Sequence, residues 1–344
     1  LTSLMISCSS DIQELDPSLQ QSNDYMSSLA NTPAVVSPEI LSQIKANTLG
    51  ETEWGVNVSK LPTEKLVKKA TLLSYMGFDN DKGGYRDELR QMINFHELSG
   101  TNNVLNIALQ TDGADDKDLK RYLVINDNDM NKMVSPFTAF KKEINSGDFR
   151  TLRAFTKWGF STYKSEWKIL DINTHGGAFL GIVRDDTSEN MVSVPNLNKA
   201  IKDSVGKVDL LNLDACLMGA VEVLYEIKDS ADYVVGSQDS TLLTGMLYTK
   251  NINKLVSSSK TVEELAREVV ISADRKGSKD LYKRQNRKGK LPNVFTIAAY
   301  KTKNVESLTT ELNNLSKMIL SKPNLKAATK VAIQGTSAMR IDED

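Results

Sequence analysis

Two stretches decide how this chain is read: residues 170–181, LDINTHGGAFLG, and residues 211–224, LNLDACLMGAVEVL. The first holds His175, one of only two histidines, and the second holds Cys216, one of only two cysteines. Each residue stands where an apolar run gives way to small or polar residues. Apolar runs of this kind, followed by helical patterns, are the signature of buried parallel strands.

The rest of the chain supports that grammar. Short apolar runs at ATLLSYM (from Ala70), NVLNIALQ (from Asn103), KRYLVIN (from Lys120), DYVVGSQD (from Asp232) and NVFTIAAY (from Asn293) read as strands. Between them, helical spacing appears in DKGGYRDELRQMINFHEL (from Asp81, at Leu89, Met92, Ile93 and His96), GDFRTLRAFTKWGFSTY (from Gly147), VPNLNKAIKDSV (from Val194), LMGAVEVLYEIKD (from Leu217) and TVEELAREVVISADRKG (from Thr261). Thr261 and Glu264 form a capping-box signature at the start of the last. A further helix follows in VESLTTELNNLSKMIL, from Val305. The pattern predicts an α/β fold, a mostly parallel sheet with helices on both faces. In such sheets chemistry collects beyond the carboxyl ends of the strands. His175 and Cys216 occupy two of those ends.

Composition narrows the function. With 344 residues and a net charge of −1, the chain can bury one large core and carries no global attraction to nucleic acid. Two cysteines cannot make a disulfide framework, and the scattered His and Cys set no structural zinc site. No stretch reaches the roughly 18 apolar residues needed to span a bilayer.

A thiolate and an imidazole at neighbouring strand ends are a nucleophile and a general acid/base. With a helix expected from Leu217, its N-terminus would favour the Cys216 thiolate. The N–H groups of Gly176 and Cys216 are the candidate oxyanion donors, and Gly177 lets the backbone come close to a substrate. His96 offers a contrast. It falls on the apolar face of a helix with Leu89, Met92 and Ile93, and is read as a core histidine.

These motifs resemble the clostripain-like cysteine peptidases, in the wider clan of caspases, gingipains and legumains. The resemblance rests on ILDINTHGGAF, a strand ending His-Gly, and on LLNLDACLMGAVEVLYEIKDSADYVVGS, a strand ending Asp-Ala-Cys. LLSYMGFDND and RDDTSENMVSVPNLNKAI add to it, and it runs from about Leu72 to the last residues. It implies a caspase-like fold and an endopeptidase with a dyad of His175 and Cys216, with Asp214 at the base of a pocket for Arg or Lys. Period-2 alternation agrees, because it puts Asp214 and Cys216 on one side of a strand. The chain departs from the family's pattern at Phe179, where relatives carry a tryptophan, and at Thr244, where they often carry an acid. Asp239 is the nearest acid to Thr244 and completes the substrate-binding candidates.

The resemblance further implies self-processing between histidine and cysteine, for which Arg184 is the candidate, since polar, loop-like sequence follows it. No cofactor is required on this reading; calcium is possible, with Asp185, Asp186 and Glu189 as oxygen donors, and no metal-ligand set is assigned. The opening residues 1–8 read as the remnant of a lipoprotein signal ending at Cys8, whose lipidation would anchor an exported protein to a bacterial envelope or surface. Residues 9–66 read as a polar tether or pro-segment, 67–300 as the peptidase domain, and 301–344 as the start of a C-terminal region that looks truncated. The basic run DRKGSKDLYKRQNRKGKLPN, from Asp274, reads as a solvated loop, and no nucleic acid is expected as a partner. Partners are protein or peptide substrates with Arg or Lys, and the chain is expected to be a monomer. Two other readings stand beside the peptidase. One is a surface lipoprotein that binds with this fold; the other is a Cys-dependent amidase on a non-protein substrate.

Overall fold

The structure, a computed structural model, describes residues 36–80, 86–114, 119–241, 248–274 and 296–335. Helix α1 (Pro38–Asn47) opens it, with Pro38 in its first turn and the Ser37 hydroxyl accepting the Ile40 N–H at 3.3 Å. Strands β1 (Thr48–Thr52) and β2 (Gly55–Val58) follow as an antiparallel pair, and then comes β3 (Lys68–Phe78). Next are α2 (Arg86–Glu97), β4 (Leu105–Gly113), β5 (Lys120–Leu123) and β6 (Pro136–Ala139). Helix α3 (Phe149–Thr162) leads into β7 (Ser165–Thr174). A short hairpin, β8 (Ile182–Asp185) and β9 (Asn190–Val192), precedes α4 (Val194–Val205) and β10 (Val208–Asp214). Helix α5 (Val221–Ile227), β11 (Ala231–Ser237), α6 (Ile252–Ser258), α7 (Val262–Asp274) and β12 (Ile297–Lys301) complete the sheet region. Helices α8 (Val305–Ser321) and α9 (Pro323–Gly335) lie beyond it.

Ten strands make one sheet in the order β1-β2-β6-β5-β4-β3-β7-β10-β11-β12. Its centre, from β4 to β11, is parallel throughout, with antiparallel strands towards both edges. The central strands are buried on both faces, which explains their near-continuous apolar runs. On one face Leu73, Leu170, Ile172, Leu211 and Leu213 pack with side chains of α1, α3, α4 and α5. On the other, Leu72, Ile107, Ile169 and Leu210 pack with α2, α6 and α7. The α/β architecture with helices on both faces is as the sequence predicts. The capping hydroxyl of Thr261 also accepts the Glu264 N–H, at 3.1 Å.

Three elements differ from expectation. Residues 38–58, expected within a tether or loose pro-segment, instead form α1, β1 and β2 and extend the sheet through β6. Ile40, Ile44, Trp54 and Val58 are buried there, so a polar stretch still supplies core side chains at helical and alternate spacing. The helix expected from Leu217 begins only at Val221. Residues 216–219 form a turn, held because the Leu217 N–H reaches the Asp239 carbonyl (3.2 Å) and the Gly219 N–H reaches that of Ser237 (2.6 Å). Arg184, expected at the edge of a loop, lies within β8.

One polar ladder crosses the buried centre. Ser74 on β3 donates to Asp171 on β7 at 2.5 Å, and Asn212 on β10 donates to its other oxygen at 2.6 Å. All three side chains are buried, so the carboxylate is retained by these donors and the donors by it. Asp171→Ala should cost about 2–4 kcal/mol, because it removes the acceptor shared by two buried donors. Urea unfolding of the variant checks this; an unchanged midpoint would show the ladder to be dispensable.

Candidate active site

The site follows from the register of β7 and β10. Leu170 pairs with Leu211, Asp171 with Asn212, Ile172 with Leu213, and Asn173 with Asp214. Both strands alternate apolar and polar residues, so both turn their polar members to the same face. Two residues past the last pair stand His175 on one strand and Cys216 on the other. The structure therefore brings together the residues that the sequence singled out.

The backbone contact between them is close. A Cβ placed on Gly176 would lie 2.3 Å from the Cys216 carbonyl oxygen and 3.0 Å from the Ala215 Cβ. Only glycine allows the His175 loop to lie against the Cys216 turn. Beyond it, Gly176 bridges Ile182 through hydrogen bonds from the Gly177 N–H to the Gly181 carbonyl (2.9 Å) and from the Val183 N–H to the His175 carbonyl (3.3 Å). The Gly176 N–H takes no part in that bridge. Strain collects at the same place. Ala178 (φ 52°) and Val183 (φ 60°) follow His175, and Leu217 (φ 65°) follows Cys216. Such angles cost non-glycine residues about 1–3 kcal/mol and persist where the surroundings enforce them.

Asp214 is buried, and the Asn173 amide donates to its Oδ2 at 3.0 Å. Asn173 is a residue the sequence reading passed over, although the polar alternation Asp171, Asn173, His175 announces it. Around the sulfur, the Thr241 N–H points at Cys216 Sγ at 3.3 Å and the Thr241 hydroxyl lies at 3.8 Å. Thr241 carried no recognisable signal in the sequence. Asp239 is drawn in through its backbone, since its carbonyl holds the Leu217 N–H. Its own carboxylate accepts the Ser240 N–H at 2.7 Å. Phe179, on the 3-10 turn after His175, is 69% exposed and presents an apolar ring beside the site.

Other expected residues fall elsewhere. Arg184 pairs with Asp186. Of the expected oxygen donors, Asp185 is buried, while Asp186 is engaged by that arginine and Glu189 is exposed on the hairpin turn. His96 is buried in α2 with Nδ1 at 2.8 Å from the Met92 carbonyl, and burial lowers its pKa. Thr244, Cys8 and most of the basic run lie outside the described residues. No described helix is long and apolar enough to cross a membrane.

An open, largely parallel sheet with a histidine and a cysteine at adjacent carboxyl ends defines a class: the caspase-like cysteine peptidase fold. Solved structures agree. A secreted C11 cysteine protease from Bacteroides thetaiotaomicron, in complex with an irreversible peptide inhibitor, superposes with a TM-score of 0.54 at 20% identity, covering 71% of this chain and 69% of that one. An inactive zymogen C11 protease from Parabacteroides distasonis gives 0.54 at 20% identity, covering 72% and 66%. A further secreted C11 protease from B. thetaiotaomicron, iotapain, gives 0.55 at 13% identity, covering 74% and 71%. The model of the clostripain family matches residues 74–341, and the chain belongs to that family of cysteine peptidases. Clostripain of Hathewaya histolytica is 24% identical over 280 residues, which are 69% of this chain. The chain spans about half the length of that curated relative.

Gly176→Ala should break the contact between the two loops. Because the clash is with backbone, it should cost about 1–3 kcal/mol of stability. Thermal unfolding checks this, and an unshifted midpoint would mean that the loops do not abut as described.

Proposed function

We propose that this chain is a cysteine endopeptidase that cuts after Arg or Lys and is made as a self-processed precursor. The observation that carries the reading is the shared register that sets His175, Cys216 and Asp214 at two adjacent strand ends. Family membership supports it, as does the similarity to an inactive zymogen.

On this reading the basic side chain of the substrate enters towards Asp214, held in place by Asn173, and a guanidinium meets its carboxylate in two-pronged geometry. Asp239, on the segment after β11, adds to the same pocket on this reading, and Thr244, outside the described residues, is assigned to it from the sequence alone. Cys216 Sγ attacks the peptide carbonyl carbon, and the N–H groups of Gly176 and Cys216 stabilise the oxyanion. His175 protonates the leaving amine, then removes a proton from the water that resolves the thioester. Arg184 is the site of self-cleavage. Because it lies in a paired strand, the β8–β9 hairpin must open before the chain can be cut there. The protein is exported and held by lipid on Cys8 as a monomer.

Hydrolysis of fluorogenic peptides that differ only in the residue before the cleaved bond tests this. Trace trypsin opens the hairpin beforehand. Cleavage is expected after Arg and Lys alone, absent in Cys216→Ala and about a thousand-fold weaker in His175→Ala. Asp214→Asn should lower kcat/KM for Arg and Lys peptides by about a hundred-fold or more, without gain of stability as the cause. Activity without preference for basic residues would favour an amidase. No activity in the opened, folded protein would favour a binding protein.

A further inference from the structure

The loop that leaves β7 carries two large apolar side chains that the fold does not bury. Phe179 is 69% and Leu180 42% exposed, on the 3-10 turn Ala178–Leu180 that begins three residues after His175. Neither belongs to the core on either face of the sheet. The whole stretch 176–183, GGAFLGIV, holds no ionisable side chain. Such a surface favours an apolar group over a charged one, which would lose hydration there without gaining a partner.

The turn is held in place by its own backbone. The Gly177 N–H reaches the Gly181 carbonyl (2.9 Å), the Leu180 N–H that of Gly177 (3.0 Å) and the Gly181 N–H that of Ala178 (3.2 Å). At Gly181, with φ 136°, an added Cβ would lie 2.4 Å from the Val192 carbonyl oxygen, so glycine lets the loop close against β9. On the other side the turn rests near α5, and the buried Met218 packs under Gly176, where a Cβ would lie 2.8 Å from its Cγ. Ala178 holds φ 52° within this frame. Backbone strain of this kind persists only where the surroundings fix it, and it gathers at segments that touch ligands.

The chemistry decides which part of a substrate meets this turn. His175 protonates the leaving amine, so the chain beyond the cut bond departs on the histidine's side, while the basic side chain before the cut points to Asp214. Three residue steps, at most about 11 Å, separate His175 from Ala178. Two extended substrate residues span about 7 Å, and their side chains reach further. The first two residues after the cut therefore pass the exposed faces of Phe179 and Leu180.

We propose that Phe179 and Leu180 form an apolar subsite that selects substrates with an aliphatic or aromatic side chain in the first two positions after the cut bond. The proposal rests on the peptidase reading of the site and adds a second requirement to it: a basic residue, followed by apolar ones. The bond after Arg184 is followed by Asp185 and Asp186 and is a poor substrate by this rule. Its cutting then relies on the high effective concentration of a segment held in the same chain.

The test uses the opened chain, freed of trypsin, and internally quenched peptides that share an Arg before the cut. They differ only in the two residues after it: Leu-Leu, Phe-Phe, Gly-Gly or Asp-Asp. The wild type is expected to cleave the Leu and Phe peptides with a kcat/KM at least about ten-fold above that for the Gly peptide. In the double variant Phe179→Ser with Leu180→Ser this ratio falls to about two or less, whereas Phe179→Leu keeps most of it. A purely structural role would slow all four peptides alike, and that result would overturn the proposal. So would a preference that survives the double variant. A wild type that cuts all four equally overturns the subsite and leaves the peptidase reading standing; one that cuts none removes both.

Discussion

The in-register parallel pairing of β7 with β10 is the constraint on which the rest of the molecule depends. It aligns two strings of the same design, Leu-Asp-Ile-Asn-Thr-His and Leu-Asn-Leu-Asp-Ala-Cys, residue against residue. The apolar members of both enter one core, and the polar members form a ladder on the other face. A slip of one residue would send every one of these side chains to the wrong face. Burial on both sides of the sheet therefore protects the site: the free energy that fixes the core also fixes where His175 and Cys216 stand.

Rigidity below the site permits strain above it. Ala178, Val183 and Leu217 hold backbone angles that a free chain would avoid; Ala178 and Leu217 lie in the loops leaving the two strands, and Val183 in β8. The Leu217 turn is fixed by backbone bonds to Ser237 and Asp239 at the end of β11. The His175 loop is fixed by its bridge to Ile182. Thus β8 and β11, which carry neither His175 nor Cys216, set the positions of both. The hairpin also holds Arg184, so the segment that would be cut in processing is the one that braces the histidine.

Much of this was legible in the sequence, for stated reasons. Alternating helices and continuous apolar runs gave the parallel sheet, and helix α4 covers the stretch VPNLNKAIKDSV that reads as helical. The rule that chemistry gathers at strand ends drew attention to His175 and Cys216, and the family resemblance named them as a dyad; the register of β7 and β10 sets both at adjacent strand ends. What escaped depends on long-range contact. The 38–58 segment is polar overall, and its few apolar residues gain meaning only against β6 and α3. The turn at 216–219 is imposed by β11, against a local helical pattern.

The most direct measurement is covalent labelling with an irreversible inhibitor, a short peptide ending in Arg or Lys with an electrophile in place of the cut bond. The trypsin-opened chain would be labelled, digested and mapped by mass spectrometry. The account predicts one label per chain, on Cys216, slowed strongly by Asp214→Asn and by His175→Ala. A folded, opened chain that takes no label on Cys216, or takes it equally fast from a peptide ending in a neutral residue, would contradict it.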